Sequence, residues 1–154
     1  MTDPSYQQPP YQPPAGSGPS GPRANFGQRL GAFFIDWILV GIPFVIVFFI
    51  SRPLGWIVGA LISLAYFTYF EGSPSGQTIG KRVLSIRVID FSSGGPLGFG
   101  RGFVRQLGRI LSGFLCYLGY FWMLWDKEKQ TWHDKIATTV VVPTSAYPVQ
   151  SWPG

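Results

Sequence analysis

One apolar stretch, Gln28–Ile50, constrains this chain more than any other part of the sequence. Within it, Leu30–Ile50 has 21 residues and a single charge, whereas a helix needs roughly 20 apolar residues to cross a bilayer. The charge is the carboxyl group of Asp36, and an acid in hydrocarbon is costly, so it marks a functional or a pairing site. The stretch predicts a membrane-spanning helix, capped by Asn25 or Gln28, whose acid needs a partner.

The composition agrees with a small integral membrane protein. Of 154 residues, 46% are hydrophobic and 12% are charged, about half the charged fraction of an ordinary soluble domain. The net charge of +5 comes from basic residues beside the apolar segments, as the positive-inside rule expects, so no nucleic acid partner is predicted. Cys116 is the single cysteine, which excludes an intrachain disulfide and a cysteine metal cluster.

Polar, proline-rich segments flank the apolar part of the chain. Residues 1–25 hold seven of the fourteen prolines and lack apolar periodicity, so they are predicted to be a disordered tail. Residues 143–154 are predicted to be disordered as well. Residues 26–142 are predicted to form one transmembrane domain. Its expected spans lie at about 29–50, 54–71 and 103–125.

The third apolar segment, 103–125, leaves two topologies open. Arg105 and Arg109 open it and share a helix face, since they are four residues apart. Only sixteen residues then remain before Asp126, which is short for a span. A single crossing leaves the C-terminus outside, whereas a re-entrant or broken helix returns it to the cytoplasm. The lysines after this segment only weakly favour the return of the C-terminus to the cytoplasm. A single continuous helix is therefore the expectation.

The loop after the second span, residues 72–102, is rich in Gly and Ser and has an excess of Lys and Arg. This excess places the loop, and two spans back the N-terminus, in the cytoplasm. Val83–Asp90 alternates with period two, which is typical of a strand. The predicted fold is therefore an all-α membrane protein, a small helical bundle of about three apolar segments with a short β-like cytoplasmic piece.

Catalytic and metal sites find little support in the sequence. Gly76, Thr78, Gly80 and Lys81 resemble the end of a phosphate-binding loop, but three residues separate the glycines where four are required, which excludes nucleotide hydrolysis. A structural turn is favoured, and an anion site for a lipid headgroup is the alternative. One histidine, His133 beside Asp134, is too few ligands for zinc and is interpreted as an interfacial pair that anchors the tail. No enzyme activity, metal or cofactor is predicted.

Three arginines are candidate partners of Asp36. Arg29 lies seven residues earlier on the same helix face, roughly 10 Å away along the axis, and its long side chain can shorten that distance. Arg105 and Arg109 enter from the same side of the membrane. A buried ion pair that locks the first helix to the third is favoured over a proton relay, because most pumps need chains of such groups.

Five features in order resemble the RDD family of bacterial membrane proteins, named for one arginine and two aspartates. They are Arg29 at the first span, Asp36 seven residues on, GQTIGKRVLSIRVID after the second span, the arginines of the third segment, and WHDKIATTVVV. The resemblance covers residues 25–142 and carries the family name onto Arg29, Asp36 and Asp134. The proline-rich head is similar to that of actinobacterial members. The resemblance implies a polytopic protein of a bacterial cell membrane.

Two functional hypotheses follow. The first is a membrane scaffold or accessory module in the lipid bilayer that docks protein partners through the proline-rich tail or the cytoplasmic loop. The alternative is a cation/proton antiporter or transport subunit that uses Asp36, because the resemblance associates some members with cation/proton exchange. A chain this short is expected to need a homo-oligomer for exchange.

Overall fold

Two long apolar helices form a hairpin in the computed structural model, which describes residues 18–115 and 118–153. Helix α1 covers Phe26–Ile50 and helix α2 covers Arg52–Gly72, with Ser51 as the only residue between them. By length and composition both are able to cross a membrane. Most of the proline-rich tail, residues 1–17, and Cys116 lie outside the described residues. The predicted membrane fold is confirmed.

Local chemistry explains where the two helices begin and how closely they pack. The side chain of Asn25 accepts a hydrogen bond from the N–H of Gln28, and the side chain of Gln28 accepts one from the N–H of Asn25, so both candidate residues contribute to the cap of α1. In α2, Gly55 faces Phe48 of α1, where an added Cβ would lie 2.5 Å from the Phe48 Cα atom. The missing side chain therefore permits a close helix–helix approach, as small residues do in membranes.

The third apolar segment is broken. Helix α4 covers Phe99–Phe114, followed by helix α5, Leu118–Phe121, and a 3₁₀ helix, Trp122–Leu124. The axis bends by 112° between α4 and this second part. The expectation of one continuous helix is therefore wrong, and the alternative of a broken helix describes the chain.

The polarity of α4 differs from that of a helix that spans a membrane in contact with lipid. It turns its polar face inward, burying Arg105, Gln106 and Ser112, whereas Leu111 and Phe114 are exposed. Since α4 has 16 residues, it is too short to cross a bilayer by itself. The buried polar face binds it to the rest of the protein at one end of the hairpin.

A two-stranded antiparallel sheet joins the loop to the C-terminal part. Strand β1, Ile86–Asp90, pairs with strand β2, Thr139–Pro143, with Val88 opposite Val141. Strand β1 precedes α4 and β2 follows the 3₁₀ helix, so their pairing places both on the same side of the hairpin. A third segment that crosses once and leaves the C-terminus opposite the loop is therefore wrong.

We call residues 18–25, 72–98 and 126–153 the headpiece. It contains the sheet and two short helices, α3 at Ile79–Val83 and α6 at Trp132–Ile136. The C-terminal tail, residues 143–154, is predicted from the sequence to be disordered, but it contacts the rest of the headpiece. The side chain of Trp152 donates a hydrogen bond of 3.1 Å to the carbonyl of Gln77. Its ring also stacks on Phe70, with ring centroids 5.4 Å apart.

A buried charge cluster as the candidate functional site

Glu71, at the end of α2, is the centre of a buried charge cluster. Its side chain is fully buried and accepts hydrogen bonds from three cations. Lys81 Nζ lies 2.6 Å from Oε1, Arg109 Nη2 lies 2.7 Å from the same oxygen, and Arg105 Nε lies 2.8 Å from Oε2. One carboxylate therefore joins α2, α3 and α4.

Sequence reasoning missed Glu71, which it took as the end of the second span. A signal was present, because an acid at the membrane boundary stood near a surplus of arginine and lysine. The sequence alone does not show how close those arginines and lysines lie to the end of α2.

Asp134 is the second centre, in the first turn of α6. It forms ion pairs with Arg29 of α1 and with Arg105 of α4. Its carboxylate also accepts a hydrogen bond of 2.9 Å from the backbone N–H of Thr131, which completes a capping box. Burial raises the pKa of Asp134, but Arg105 and Arg29 outweigh burial and hold that pKa below its ordinary value. Asp134 therefore fastens α6 to α1 and α4 as an ionised group.

Asp36 is bound by neutral donors, and its predicted ion pair with an arginine is wrong. It is 1% exposed. Its Oδ1 accepts hydrogen bonds of 2.8 Å from the Tyr66 hydroxyl and 2.8 Å from the Gly80 N–H, and its Oδ2 accepts one of 2.6 Å from the Thr78 hydroxyl. None of the three candidate arginines forms a hydrogen bond or ion pair with Asp36 within the described part of the chain.

The loop motif supplies two of those three donors, Thr78 and Gly80. Thr78 caps α3, and Gly80 lies so close to α1 that an added Cβ would sit 2.2 Å from the carbonyl oxygen of Ala32. Gly76, at φ +62°, accepts a hydrogen bond of 2.8 Å from the N–H of Val88 and so ties the loop to β1. The donors that the alternative interpretation assigned to a bound anion thus bind the protein's own carboxylate, Asp36.

Lys81 and His133 are buried beside the acids. Burial lowers the pKa of Lys81, and Glu71 counteracts this effect. Burial also lowers the pKa of His133 well below its ordinary value; Asp134 opposes this shift and the arginines nearby add to it, so the imidazole is neutral. His133 Nε2 lies 2.9 Å from the Thr131 hydroxyl, whereas its Nδ1 has no hydrogen-bond partner among the described residues.

A cavity of about 470 Å³ borders the charge cluster. Its polar lining comes mostly from the cluster, and its remaining walls are largely aromatic and aliphatic. Its lining includes Arg29, Asp36, Lys81, Arg105, Arg109, His133, Leu30, Phe33, Phe34 and Trp37. Within residues 18–115 and 118–153, no three His, Cys, Asp or Glu side chains converge in a way that could hold a metal ion.

The hairpin and its charge-fastened headpiece define a small membrane protein with polar groups inside and apolar side chains outside. The RDD family pattern matches residues 23–138, three quarters of this chain, so the chain belongs to the RDD family. Of the three residues that the resemblance associates with the family name, Arg29 and Asp134 meet directly. The third, Asp36, lies on α1 with Arg29 but has its own set of donors.

Similar proteins occur in mycobacteria and bacilli. The proline-rich antigen homolog of Mycobacterium tuberculosis is 37% identical, over 75% of this chain and 61% of that protein. The proline-rich antigen of Mycobacterium leprae is 38% identical, over 57% of this chain and 35% of that protein. The uncharacterized protein YxaI of Bacillus subtilis is 29% identical, over 77% of this chain and 96% of that protein. This chain thus spans less than two thirds of the mycobacterial relatives. No solved structure matches it.

Proposed function

We propose that this RDD protein is a non-enzymatic scaffold or accessory module that holds a proline-rich docking arm at one face of the membrane. One observation carries the proposal: the segment that follows residues 1–17 is fastened to the headpiece. Ala24 donates a backbone hydrogen bond of 2.9 Å to Val141 of β2. The N–H of Gly21 donates one of 2.9 Å to the Tyr147 hydroxyl. The arm therefore starts from a fixed point on the headpiece.

The composition of the arm supplies a recognition mode. Pro9-Pro10-Tyr11-Gln12-Pro13-Pro14 favours the polyproline II conformation, which aromatic-lined grooves bind at low entropic cost. Because the charge cluster fastens the headpiece to the hairpin, a partner held by the arm stays near the bilayer surface. The partner class is thus a protein with a polyproline-binding groove.

Cross-linking in native membranes followed by affinity capture tests this role. The full chain is expected to recover the same protein partner repeatedly, and removal of residues 1–17 is expected to abolish that recovery. The double change Pro10→Ala with Pro13→Ala should act like the removal, whereas Pro4→Ala is the matched control. Unchanged recovery without residues 1–17, or repeated recovery of the protein alone, would contradict the proposal.

The proposed topology is two crossings with the headpiece in the cytoplasm. The excess of Lys and Arg in residues 72–102 supports this orientation. A reporter that is active only in the cytoplasm should work when fused after the C-terminus and fail when inserted beside Ser51. Activity at Ser51, or inactivity at the C-terminus, would overturn the orientation.

A cation/proton antiporter is a second candidate, favoured by one observation, namely that the buried carboxylate of Asp36 lines the cavity. Protein in liposomes would then show proton flux driven by a cation gradient. Asp36→Asn should abolish the flux, whereas Tyr66→Phe, which removes one donor and keeps the carboxylate, should retain it. Flux equal to that of empty liposomes, or flux unchanged in Asp36→Asn, would reject this candidate.

A further inference from the structure

The cavity beside the charge cluster has an excess of positive charge. Four of its lining side chains are cations and one is acidic. The other two acids of the cluster, Glu71 and Asp134, do not line it. By formal charge, the four cations face three carboxylates, those of Asp36, Glu71 and Asp134, so one positive charge has no counterpart in the cluster. The cavity therefore matches a ligand with a single negative charge. The four cations are Arg29, Lys81, Arg105 and Arg109.

An orphaned polar group points to a ligand as well. His133 lines the cavity and is 1% exposed, and its Nδ1 has no partner among the described residues. Buried polar atoms are normally hydrogen-bonded, so an unsatisfied one calls for a group that the protein itself does not supply. When Nε2 accepts from Thr131, Nδ1 carries the proton and is a donor. A donor of this kind fits an anionic oxygen.

The remaining walls are apolar and border on lipid. Phe34 and Trp37 of α1 line the cavity, and they are 53% and 63% exposed on the surface of a membrane-spanning helix. A second cavity of about 360 Å³ shares Phe33, Trp37 and Arg109 with the first. It extends along the hairpin, where Phe44 and other apolar side chains line it. A charged chamber and an apolar slot thus adjoin at the edge of the bilayer.

We infer that the first cavity binds the headgroup of an anionic phospholipid with one phosphodiester charge, and that the second receives an acyl chain. Guanidinium groups suit phosphate oxygens because their donors form a planar fork. Basic pockets beside membrane helices are known hosts of anionic headgroups. The volume also lies within the roughly 300–1,000 Å³ of ligand pockets. The inference is independent of the docking role.

Native mass spectrometry of the full chain provides the test. The protein, in neutral detergent micelles, is given equimolar phosphatidylglycerol and phosphatidylcholine with identical acyl chains. The protein should retain phosphatidylglycerol about tenfold over phosphatidylcholine, the factor that corresponds to one charge-assisted hydrogen bond. Equal retention of the two lipids would overturn the inference.

Variants connect the preference to the cavity. Leu30→Trp fills the chamber and keeps every charge, so the preference should fall to parity, whereas Leu61→Trp, on an exposed position of α2 outside both cavities, should leave it unchanged. Arg109→Gln should also lower the preference, with Arg101→Gln as its control. A preference that survives Leu30→Trp would overturn the site.

Two further experiments distinguish a lipid from free phosphate as the ligand, and lipid binding from the docking role of residues 1–17. Millimolar inorganic phosphate should not displace the retained phosphatidylglycerol, because the acyl slot contributes to binding; displacement would overturn the assignment to a lipid. Removal of residues 1–17 should leave the lipid preference intact, even though it abolishes partner recovery. Loss of the preference on this removal would also overturn the assignment, since the assignment rests on residues within Phe26–His133.

Discussion

The hairpin and the headpiece differ in which side chains they bury: the hairpin exposes large apolar side chains, whereas the headpiece end buries charged ones. In the hairpin, Phe49 is 84% exposed and the helices meet through glycine and aromatic side chains. At the headpiece end, Glu71 and Asp134 are fully buried among cations. In a bilayer, no hydrophobic driving force pulls apolar side chains into the protein interior. Close packing and polar contacts must therefore hold the elements together. Close packing of Gly55 on Phe48 therefore joins the two helices of the hairpin, whereas buried ion pairs join the headpiece to them.

Glu71→Gln should cause the largest loss. The change leaves Lys81, Arg105 and Arg109 buried without their shared anion, and removal of one member of a buried pair costs about 3–5 kcal/mol. Thermal unfolding in micelles measures the loss. Glu128→Gln is the matched control: its side chain is 37% exposed in its pair with Arg23, so its loss should stay below about 1 kcal/mol. Equal losses would contradict the contrast between the two kinds of pair.

The partners of Asp36 can be tested by a double-mutant cycle. Asp36→Asn and Thr78→Val remove the two ends of one hydrogen bond, so their free energies of unfolding should show a coupling of about 0.5–3 kcal/mol. Asp36→Asn combined with Arg101→Gln should be additive within about 0.5 kcal/mol, since Arg101 pairs with Asp90 in the headpiece. Additivity of the first pair would refute the assigned contact.

The packing of the hairpin can be tested at two glycines. Gly55→Ala places a methyl group against the backbone of Phe48 and should cost about 1–3 kcal/mol, because α1 and α2 must separate. Gly41→Ala, where nothing lies within 4 Å of the added atom, should be neutral or stabilise by up to about 1 kcal/mol. Denaturation in micelles measures both. The same sign for both variants would argue against the close approach.

The pH dependence tests the burial of His133. Asp134 on its own helix and Arg29, Arg105 and Arg109 from α1 and α4 surround it, and its folded pKa lies well below the ordinary 6.5. Below pH 6.5 the unfolded chain binds a proton that the folded protein does not bind, so stability is complete above pH 6.5 and falls as the pH decreases.

The expected slope approaches about 1.4 kcal/mol per pH unit. Thermal unfolding between pH 7.5 and about pH 5, above the ordinary carboxyl range, records it. His133→Gln keeps a polar group beside Thr131 and should flatten the slope, and the chain offers no second histidine to confuse the result. A slope that persists in His133→Gln would place the titrating group elsewhere.

The smallest effect should come from an exposed ion pair between α4 and the headpiece. Arg101 pairs with Asp90, but its side chain is 45% exposed, so Arg101→Gln should change stability by at most about 1 kcal/mol. Salt at 1 M should weaken the native pair further, because screening shortens the reach of exposed charges to about 3 Å. A loss as large as that of Glu71→Gln would erase the difference between exposed and buried pairs.

Sequence patterns predicted the elements that depend on neighbouring residues. The cap at Asn25 and a strand within Val83–Asp90 follow from local rules, and both are present, although the strand begins at Ile86 and is buried at all five positions. The resemblance to the RDD family also groups Arg29 with Asp36 and Asp134. The sequence does not predict which acid binds which cation, since Arg29 and Asp134 are 105 residues apart and Glu71 and Arg105 are 34 apart. No local rule chooses among several acids and several cations.

By itself, the sequence determined that this protein has two helices long and apolar enough to cross a membrane, a basic loop and an acid within the first apolar stretch, because hydropathy and length act along the chain. Tertiary structure alone decided that Asp36 is bound by Tyr66, Thr78 and Gly80, and that Glu71 collects the cations. The reason is that a buried charge is stabilised by whichever donors the fold brings within hydrogen-bond distance, and that distance is set in space.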